Sequence, residues 1–557
     1  MNIFRKITVK TRTLLIIAFL VVSSVFITAF ESRNFEIAKN LDIFASLFRE
    51  LVINYVDEVN PAELMRTGIN EMLYSLDPYT NFIPESEIED MRFMTTGQYG
   101  GIGALITTRD DYTIITEPYE GFPAFKAGLL PGDRILEISG QKLKGVGSEQ
   151  VRELLKGQPG TTINLLIERP GEPRPLVKPV TREVISISNI PYFGMLNQTT
   201  GYIKLTGFTQ YAGREVRDAF EQLRQNHQIE SLVLDLRGNG GGLLNEAVNI
   251  TNLFVEKNKM VVSTRGKIAE RNTTHRTLNN PIDTEIPLVV LVDRGSASAS
   301  EIVAGAIQDF DRGVIIGHRT FGKGLVQNLI PLSYNTQLKV TVAKYYIPSG
   351  RCIQAIDYAQ RNEDGSVAMI PDSLKKAFTT QNGRTVYDGG GIEPDIVIAP
   401  QMLSNISVAL LTRFLIFDYA NHFFRLNNSI APAGEFKISD AVYNDFIAFL
   451  SDKDYDYETR SERLLAELKQ ASKNEKYFSA IESEYEALHR RIMHNKEEDL
   501  QTFRSEISEL LKEEIVSRYY HQRGRVQASL TNDREVSKAL QLLSNGSGYR
   551  SILAGKR

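Results

Sequence analysis

Cysteine is nearly absent from this 557-residue chain, where Cys352 stands alone. A single thiol excludes any intrachain disulfide and any zinc or iron–sulfur site built from several cysteines. Histidine is sparse as well, seven in all. None of them is followed by glutamate, so the H-E-x-x-H helix of zinc proteases is excluded. Positive charge is not in excess: the formal net charge is −4, which gives no support to nucleic-acid binding. No metal and no cofactor is expected. Hydrophobic residues at 42% and charged residues at 24% match the usage of folded globular proteins. The length exceeds one ordinary core and suggests about three or four domains.

What is present begins at the N-terminus. Arg5, Lys6, Lys10 and Arg12 precede an uncharged apolar run from Thr13 to Phe30. The run is long for a signal-peptide core and at the short end for a spanning helix. No clear A-x-A cleavage pattern follows, so residues 1–33 are expected to be a membrane anchor in preference to a cleaved signal. The basic flank would stay cytoplasmic, placing everything after Glu31 outside.

Residues 34–97 read as a helical segment. Phe44, Leu47, Phe48, Leu51 and Tyr55 recur at helical spacing, and Pro61 opens a second helix. A packing or dimerisation role is expected here, hence an association of like chains. Residues 98–184 change texture to short strands and glycine turns, with a helix over 148–156 and a strand over 162–168. Residues 185–400 alternate strands with helices: 231–236 and 287–292 are β-branched apolar runs, 313–316 is a shorter one, and helices begin near Leu243 and Ser298. Such alternation implies an α/β layer arrangement. Residues 401–557 read as packed helices or a helical hairpin, with Phe478, Ile481, Tyr485, Leu488 and Ile492 stepping by three and four.

Two stretches carry chemistry. In Val292-Asp-Arg-Gly-Ser-Ala-Ser298-Ala-Ser-Glu301 a serine sits where a buried strand gives way to a helix. The free N–H groups of that helix end could stabilise an oxyanion. By itself, Ser298-x-x-Glu301 is equally a capping box. The second stretch is Gly317-His-Arg-Thr-Phe-Gly-Lys323-Gly324. A free lysine, with a pKa of about 10.4, is a poor base at neutral pH, and burial lowers it toward catalytic use. The same stretch fits the beginning of a phosphate-binding loop, G-x-x-x-x-G-K. However, Gly324 stands where Ser or Thr must follow, and Pro331 interrupts the helix that should come next. The nucleotide reading fails at both points.

Together these motifs resemble the carboxy-terminal processing (tail-specific) proteases. The resemblance rests on Gly-Ser-Ala-Ser298-Ala-Ser-Glu, on Thr-Phe-Gly-Lys323-Gly placed 25 residues later, and on Gln327. It rests also on Asp235-Leu-Arg-Gly-Asn-Gly-Gly-Gly, Tyr345-Tyr-Ile-Pro-Ser-Gly-Arg351 and Gly391-Ile-Glu-Pro-Asp395. Many members carry proline where Gly240 stands. The run Tyr99-Gly-Gly-Ile-Gly-Ala-Leu-Ile, followed by Ala127-Gly-Leu-Leu-Pro-Gly-Asp133, resembles a PDZ domain of bacterial proteases.

The resemblance implies a crotonase-like (ββα) protease core over 185–400 with an inserted PDZ domain over 98–184, flanked by helical regions. It implies an endopeptidase in which Ser298 is the nucleophile, Lys323 the general base and Gln327 its orienting partner. Backbone N–H groups at Ala299 and around Gly241 would form the oxyanion hole. Glu301, Asp309 and Thr320 fall on supporting positions, and Asp309 is equally readable as a helix-end residue. Gly100, Gly101, Ile102 and Gly103 would line a site for a substrate's C-terminal carboxylate, making proteins with exposed C-terminal tails the expected partners. With the anchor, this implies a single-pass inner-membrane protein whose catalytic part lies in the periplasm or otherwise outside the cytoplasm. A Ser-His-Asp protease would need a histidine in a motif, and only His318 lies near the glycine loops. A non-catalytic PDZ scaffold is the alternative from another class.

Overall fold

A computed structural model of the chain describes residues 34–361, 367–492 and 496–556. The basic-then-apolar segment expected to anchor the protein lies outside them. Among the described residues no helix is long and apolar enough to cross a membrane. The chain divides into two compact units at Phe82/Ile83.

In the first unit, one helix runs over 34–54 and another over Pro61–Tyr74. The second starts where its sequence directs. The Asn60 side chain accepts the Ala62 N–H at 3.0 Å, and Pro61 occupies the first turn, where its missing N–H is no loss. Phe35, Leu41, Phe44 and Leu47 of the first helix are exposed.

The second unit opens with the helix Ile88–Thr96. Antiparallel strands follow: Ala104–Arg109, Tyr112–Pro118, Arg134–Ile138, Thr162–Glu168 and Leu176–Thr181 pair in that order. The helix Ser148–Leu155 supplies Val151 and Leu155 to their core. Gln98–Gly101 pairs instead with Glu183–Ser186, at the base of this small domain.

The larger sheet orders its strands Tyr192–Met195, Thr200–Lys204, Ser231–Asp235, Leu288–Val292, Val314–Gly317 and Ile396–Val397. The first pair is antiparallel and the rest are parallel. Both faces are covered, which explains continuous apolar strands without alternation. Leu232, Leu234 and Val290 face the helices Ala212–His227, Leu244–Phe254 and Ala299–Asp309. Val233, Val289 and Leu291 point the other way, onto Val536, Ala539, Leu542 and Tyr549. Thus the last two helices, Arg534–Ser544 and Gly546–Leu553, complete the core of the α/β sheet, whereas the sequence grouped them with a separate helical region. Tyr549 ties this arrangement by donating to the Leu288 carbonyl at 3.1 Å and accepting the Leu288 N–H at 2.9 Å.

Candidate active site

Ser298 stands between the strand Leu288–Val292 and the wholly buried helix Ala299–Asp309. An ordinary N-cap residue has extended backbone angles. Ser298 instead has φ 56° and ψ −112°, a conformation that a residue with a Cβ adopts only when its surroundings enforce it. The capping-box form is present, since Glu301 accepts the Ser298 N–H at 2.8 Å. It does not account for the strain. A serine on a strained strand-to-helix turn is the geometry that exposes a nucleophile.

Glu301 does more than cap. Its fully buried carboxylate accepts four hydrogen bonds: from Ser298 N (2.8 Å), Lys323 N (2.9 Å), Gly322 N (2.7 Å) and Thr320 Oγ1 (2.6 Å). One side chain thereby fixes the serine turn and the lysine turn to each other. Burial pushes its pKa up to about 7, against the pull of those hydrogen bonds. Thr320 extends the bracket, because its oxygen also accepts the Ile392 N–H at 2.7 Å. This links the Gly391-Ile392 motif to the same carboxylate.

Tyr345, read in the sequence only as part of a motif, supplies a second brace. Its hydroxyl lies 2.6 Å from the Lys323 carbonyl and 3.1 Å from the Ser298 carbonyl. Gly322 has φ +87°, and a Cβ there would sit 2.4 Å from the Ala355 Cβ. The backbone can therefore approach closely enough to turn the half-buried Lys323.

The glycine loop lies against Ser298 from the other side. A Cβ on Gly241, at φ +97°, would be 2.8 Å from the Ser298 Cβ and 2.9 Å from Ala299 N. The Gly241 N–H, however, donates to Asn239 Oδ1 at 2.9 Å. That glycine therefore brings the loop up to the site while its own donor is engaged within the loop. In the helix, Ser300 and Glu301 direct their N–H groups to the carbonyls of Ala297 and Ser298. Ala299 N, at the helix's first position, has no acceptor within the helix. Asn239 was not singled out by its sequence. It anchors this junction further: its amide donates to the Leu205 carbonyl, and its carbonyl accepts Ala297 N–H and Ser300 Oγ. The signal was there, as the one side chain with a polar amide inside a run of glycines.

The remaining expected residues separate. Gln327 lies on the strand Leu325–Pro331 that leaves Lys323, with its amide donating to Thr341 Oγ1 at 3.2 Å. It lines a cavity of about 720 Å³, together with Leu243, Leu244, Thr264, His275 and Val326. Asp309 sits at the far end of the serine helix, roughly 16 Å from Ser298 at 1.5 Å per residue. There it pairs with buried Arg351 at 2.9 Å and accepts Ser349 N–H at 2.9 Å. It is the last residue of that helix. Burial pushes its pKa up, although Arg351 opposes this. His318 directly follows the core strand Val314–Gly317, its N–H on the Val292 carbonyl. Asp235, read as part of the glycine motif, is a buried structural hub that accepts Tyr202 Oη, Lys204 Nζ and Arg237. Burial alone would raise its pKa, but the charges of Arg237 and Lys204 hold it well below the usual range. Arg237 continues to Asp533 at 2.7 Å, at the start of the penultimate helix.

In the small domain, Gly100 and Gly101 close the paired strand, and Ile102 and Gly103 form the loop before Ala104–Arg109. That last strand ends the sheet's pairing order, so one of its edges faces a cavity of about 350 Å³ shared with Leu155 and Lys156.

Comparison with known proteins agrees with this architecture. Residues 199–360 match peptidase family S41, residues 114–169 match a PDZ domain, and residues 406–543 match the C-terminal helical domain of probable PDZ-proteases. The chain is 37% identical over 321 residues to a carboxy-terminal-processing protease of Bartonella bacilliformis, covering 57% of this chain and 73% of that protein. A solved photosystem II D1 C-terminal processing protease is 29% identical, covering 64% of this chain and 87% of the other, with a TM-score of 0.35. The PDZ domain of a Vibrio cholerae carboxy-terminal protease, solved in complex with a peptide, is 32% identical, covering 16% of this chain and 99% of that domain at a TM-score of 0.16. With a relative of this identity matched over most of its length, the chain belongs to the carboxy-terminal processing proteases of peptidase family S41, serine-type peptidases that here carry a PDZ domain.

Proposed function

We propose that Ser298 is the nucleophile and Lys323 the general base of this peptidase. The observation that carries the reading is the Glu301 bracket, which binds the backbone N–H groups of both residues while Ser298 is held at a strained φ. In this reading Lys323 Nζ takes the proton of Ser298 Oγ as that oxygen attacks the scissile carbonyl. The proton passes to the leaving amine, and water then hydrolyses the acyl-enzyme. Ala299 N–H is assigned to the oxyanion, and the glycine loop walls that position, the Gly241 N–H itself being held by Asn239 Oδ1. Gln327 is assigned the orienting role toward Lys323, and the cavity beside it receives the chain to be cut. The succession Tyr192–Met195, Thr200–Lys204 and Ala212–His227 is a ββα unit, which supports reading the core as crotonase-like.

The PDZ domain is assigned the capture of the substrate's C-terminus. Backbone N–H groups of the segment Gly100–Gly103 are assigned to the carboxylate, and the tail adds as a strand along Ala104–Arg109. Ser298→Ala and Lys323→Ala are each expected to lower peptide cleavage by ~10³-fold or more while leaving tail-peptide binding intact. Normal proteolysis by Lys323→Ala would sink the dyad.

A further inference from the structure

We propose that the helix Ile88–Thr96, which lies outside the matched PDZ segment, is a third wall of the tail groove and selects an apolar C-terminal side chain. A captured tail then lies between the PDZ fold and a helix fixed to the protease core. This inference rests on the tail-capture reading above.

The groove has its floor and two sides in the PDZ fold: the edge strand Ala104–Arg109, the helix Ser148–Leu155 and the glycine loop. Phe93 and Met94 line the same cavity from the third side, with Tyr99, Ile102, Leu105 and Leu155. The deep residues Ile102 and Leu155 are 3% and 5% exposed, whereas Met94 and Leu105 at the rim are 59% and 47% exposed. Asp90, Arg152 and Lys156 bring charge to an otherwise mostly apolar lining, and large apolar side chains left open around such a concave site mark a surface that a ligand covers. The unpaired edge of Ala104–Arg109 sets what that ligand is, since an extended chain can pair there and direct alternate side chains into the cavity. A tail bound this way presents its terminal side chain to Ile102 and Leu155 and covers Met94.

The helix is held from both directions. On the PDZ side, Asp90 pairs with Lys156 at the end of the groove helix, and the Phe93 ring meets Tyr99 edge-on at 5.1 Å. On the core side, the Thr95 carbonyl accepts the Gln210 N–H at 2.8 Å, and the Gly97 carbonyl accepts the Ile187 N–H at 3.0 Å. Gln210 directly precedes the Tyr211 N-cap of the core helix Ala212–His227. The third wall is therefore held by the core as well as by the PDZ fold, and the tail site is composite.

The test uses the full chain carrying Ser298→Ala, so that ligands survive, and fluorescence anisotropy with fluorescein-labelled ten-residue peptides. One peptide ends in leucine with a free carboxylate, one in leucine amide and one in glycine. Met94→Ala is expected to weaken the leucine acid about tenfold, the loss of one covered apolar side chain, and Met94→Lys more. The glycine-ended peptide should change less than threefold. Met94 is exposed, so the melting temperature should hold, and a melting scan of each variant checks it. Equal leucine-acid affinity in the parent and both Met94 variants overturns the third wall while tail capture stands. Equal affinity of the parent for leucine acid and leucine amide overturns tail capture, and the wall with it.

Discussion

Replacing Glu301 with glutamine tests the bracket, because the side chain keeps its shape and loses only charge and half its acceptors. Four donors converge on the carboxylate. The amide oxygen can serve two of them, while its NH₂ group confronts the other two. Losing two hydrogen bonds to a charged group, at about 1.5 kcal/mol each or more, leaves the serine and lysine turns misaligned by about 3 kcal/mol. That amounts to a fall in kcat of roughly 100-fold. Stability should move the opposite way with pH. Burial raises the Glu301 pKa from 4.5 to about 7, so the native state holds this proton more tightly than the unfolded chain does. The stabilisation is fully present below about pH 4.5 and is lost as pH rises through about 7, in total about 3 kcal/mol. Glutamine has no such titration. Urea denaturation at pH 5 and pH 8, beside peptide cleavage at both, should show Glu301→Gln gaining about 2.5 kcal/mol relative to the wild type between the two conditions while remaining poorly active. Wild-type cleavage should itself decline below about pH 7 as Glu301 protonates. Activity within twofold of wild type in the variant, or a stability difference that does not change with pH, would refute the reasoning.

Two further outcomes follow from the same geometry. Gly241→Ala places a Cβ 2.7 Å from the Ala297 carbonyl at a φ that disfavours it, so the Ser298–Ala299 junction must shift and cleavage should fall about 100-fold, the scale of a misplaced reacting group. Tail-peptide affinity should be unaffected, and a fully active variant would remove the loop from the site. Asp235→Asn leaves Lys204 and Arg237 beside a buried neutral group and should cost about 3 kcal/mol, measured as a lower urea midpoint at pH 7. Because the Asp235 pKa is depressed, its stabilisation is present above about pH 4 and is lost on acidification. The wild-type advantage should therefore shrink as pH falls below 4, and an advantage independent of pH would discard the assignment.

The sequence by itself determined the local chemistry. Asn60 with Pro61 dictated a helix start, the β-branched runs dictated buried parallel strands, and the small residues around Ser298 dictated a turn into a helix. The separation of Ser298 from Lys323, with the glycine motifs on either side, was enough to select the family. These features were legible because they depend on spacing within a few residues, or on motifs whose order along the chain is itself the signal. Only the tertiary structure decided what those motifs do to one another. A capping glutamate became a bracket because residues 320–323 fold back onto it from another strand. Tyr345 became a brace because its hydroxyl reaches the carbonyls of both turns. Asp309 stands far from Ser298 because it closes the eleven-residue helix that begins next to that serine. The last two helices became the second face of the core sheet, which no local pattern announces, since an amphipathic helix records that it has a buried face but not which sheet buries it. The PDZ groove gained its third wall in the same way. The contacts that join distant segments are set by the fold's global packing, and that is the part no short window of residues encodes.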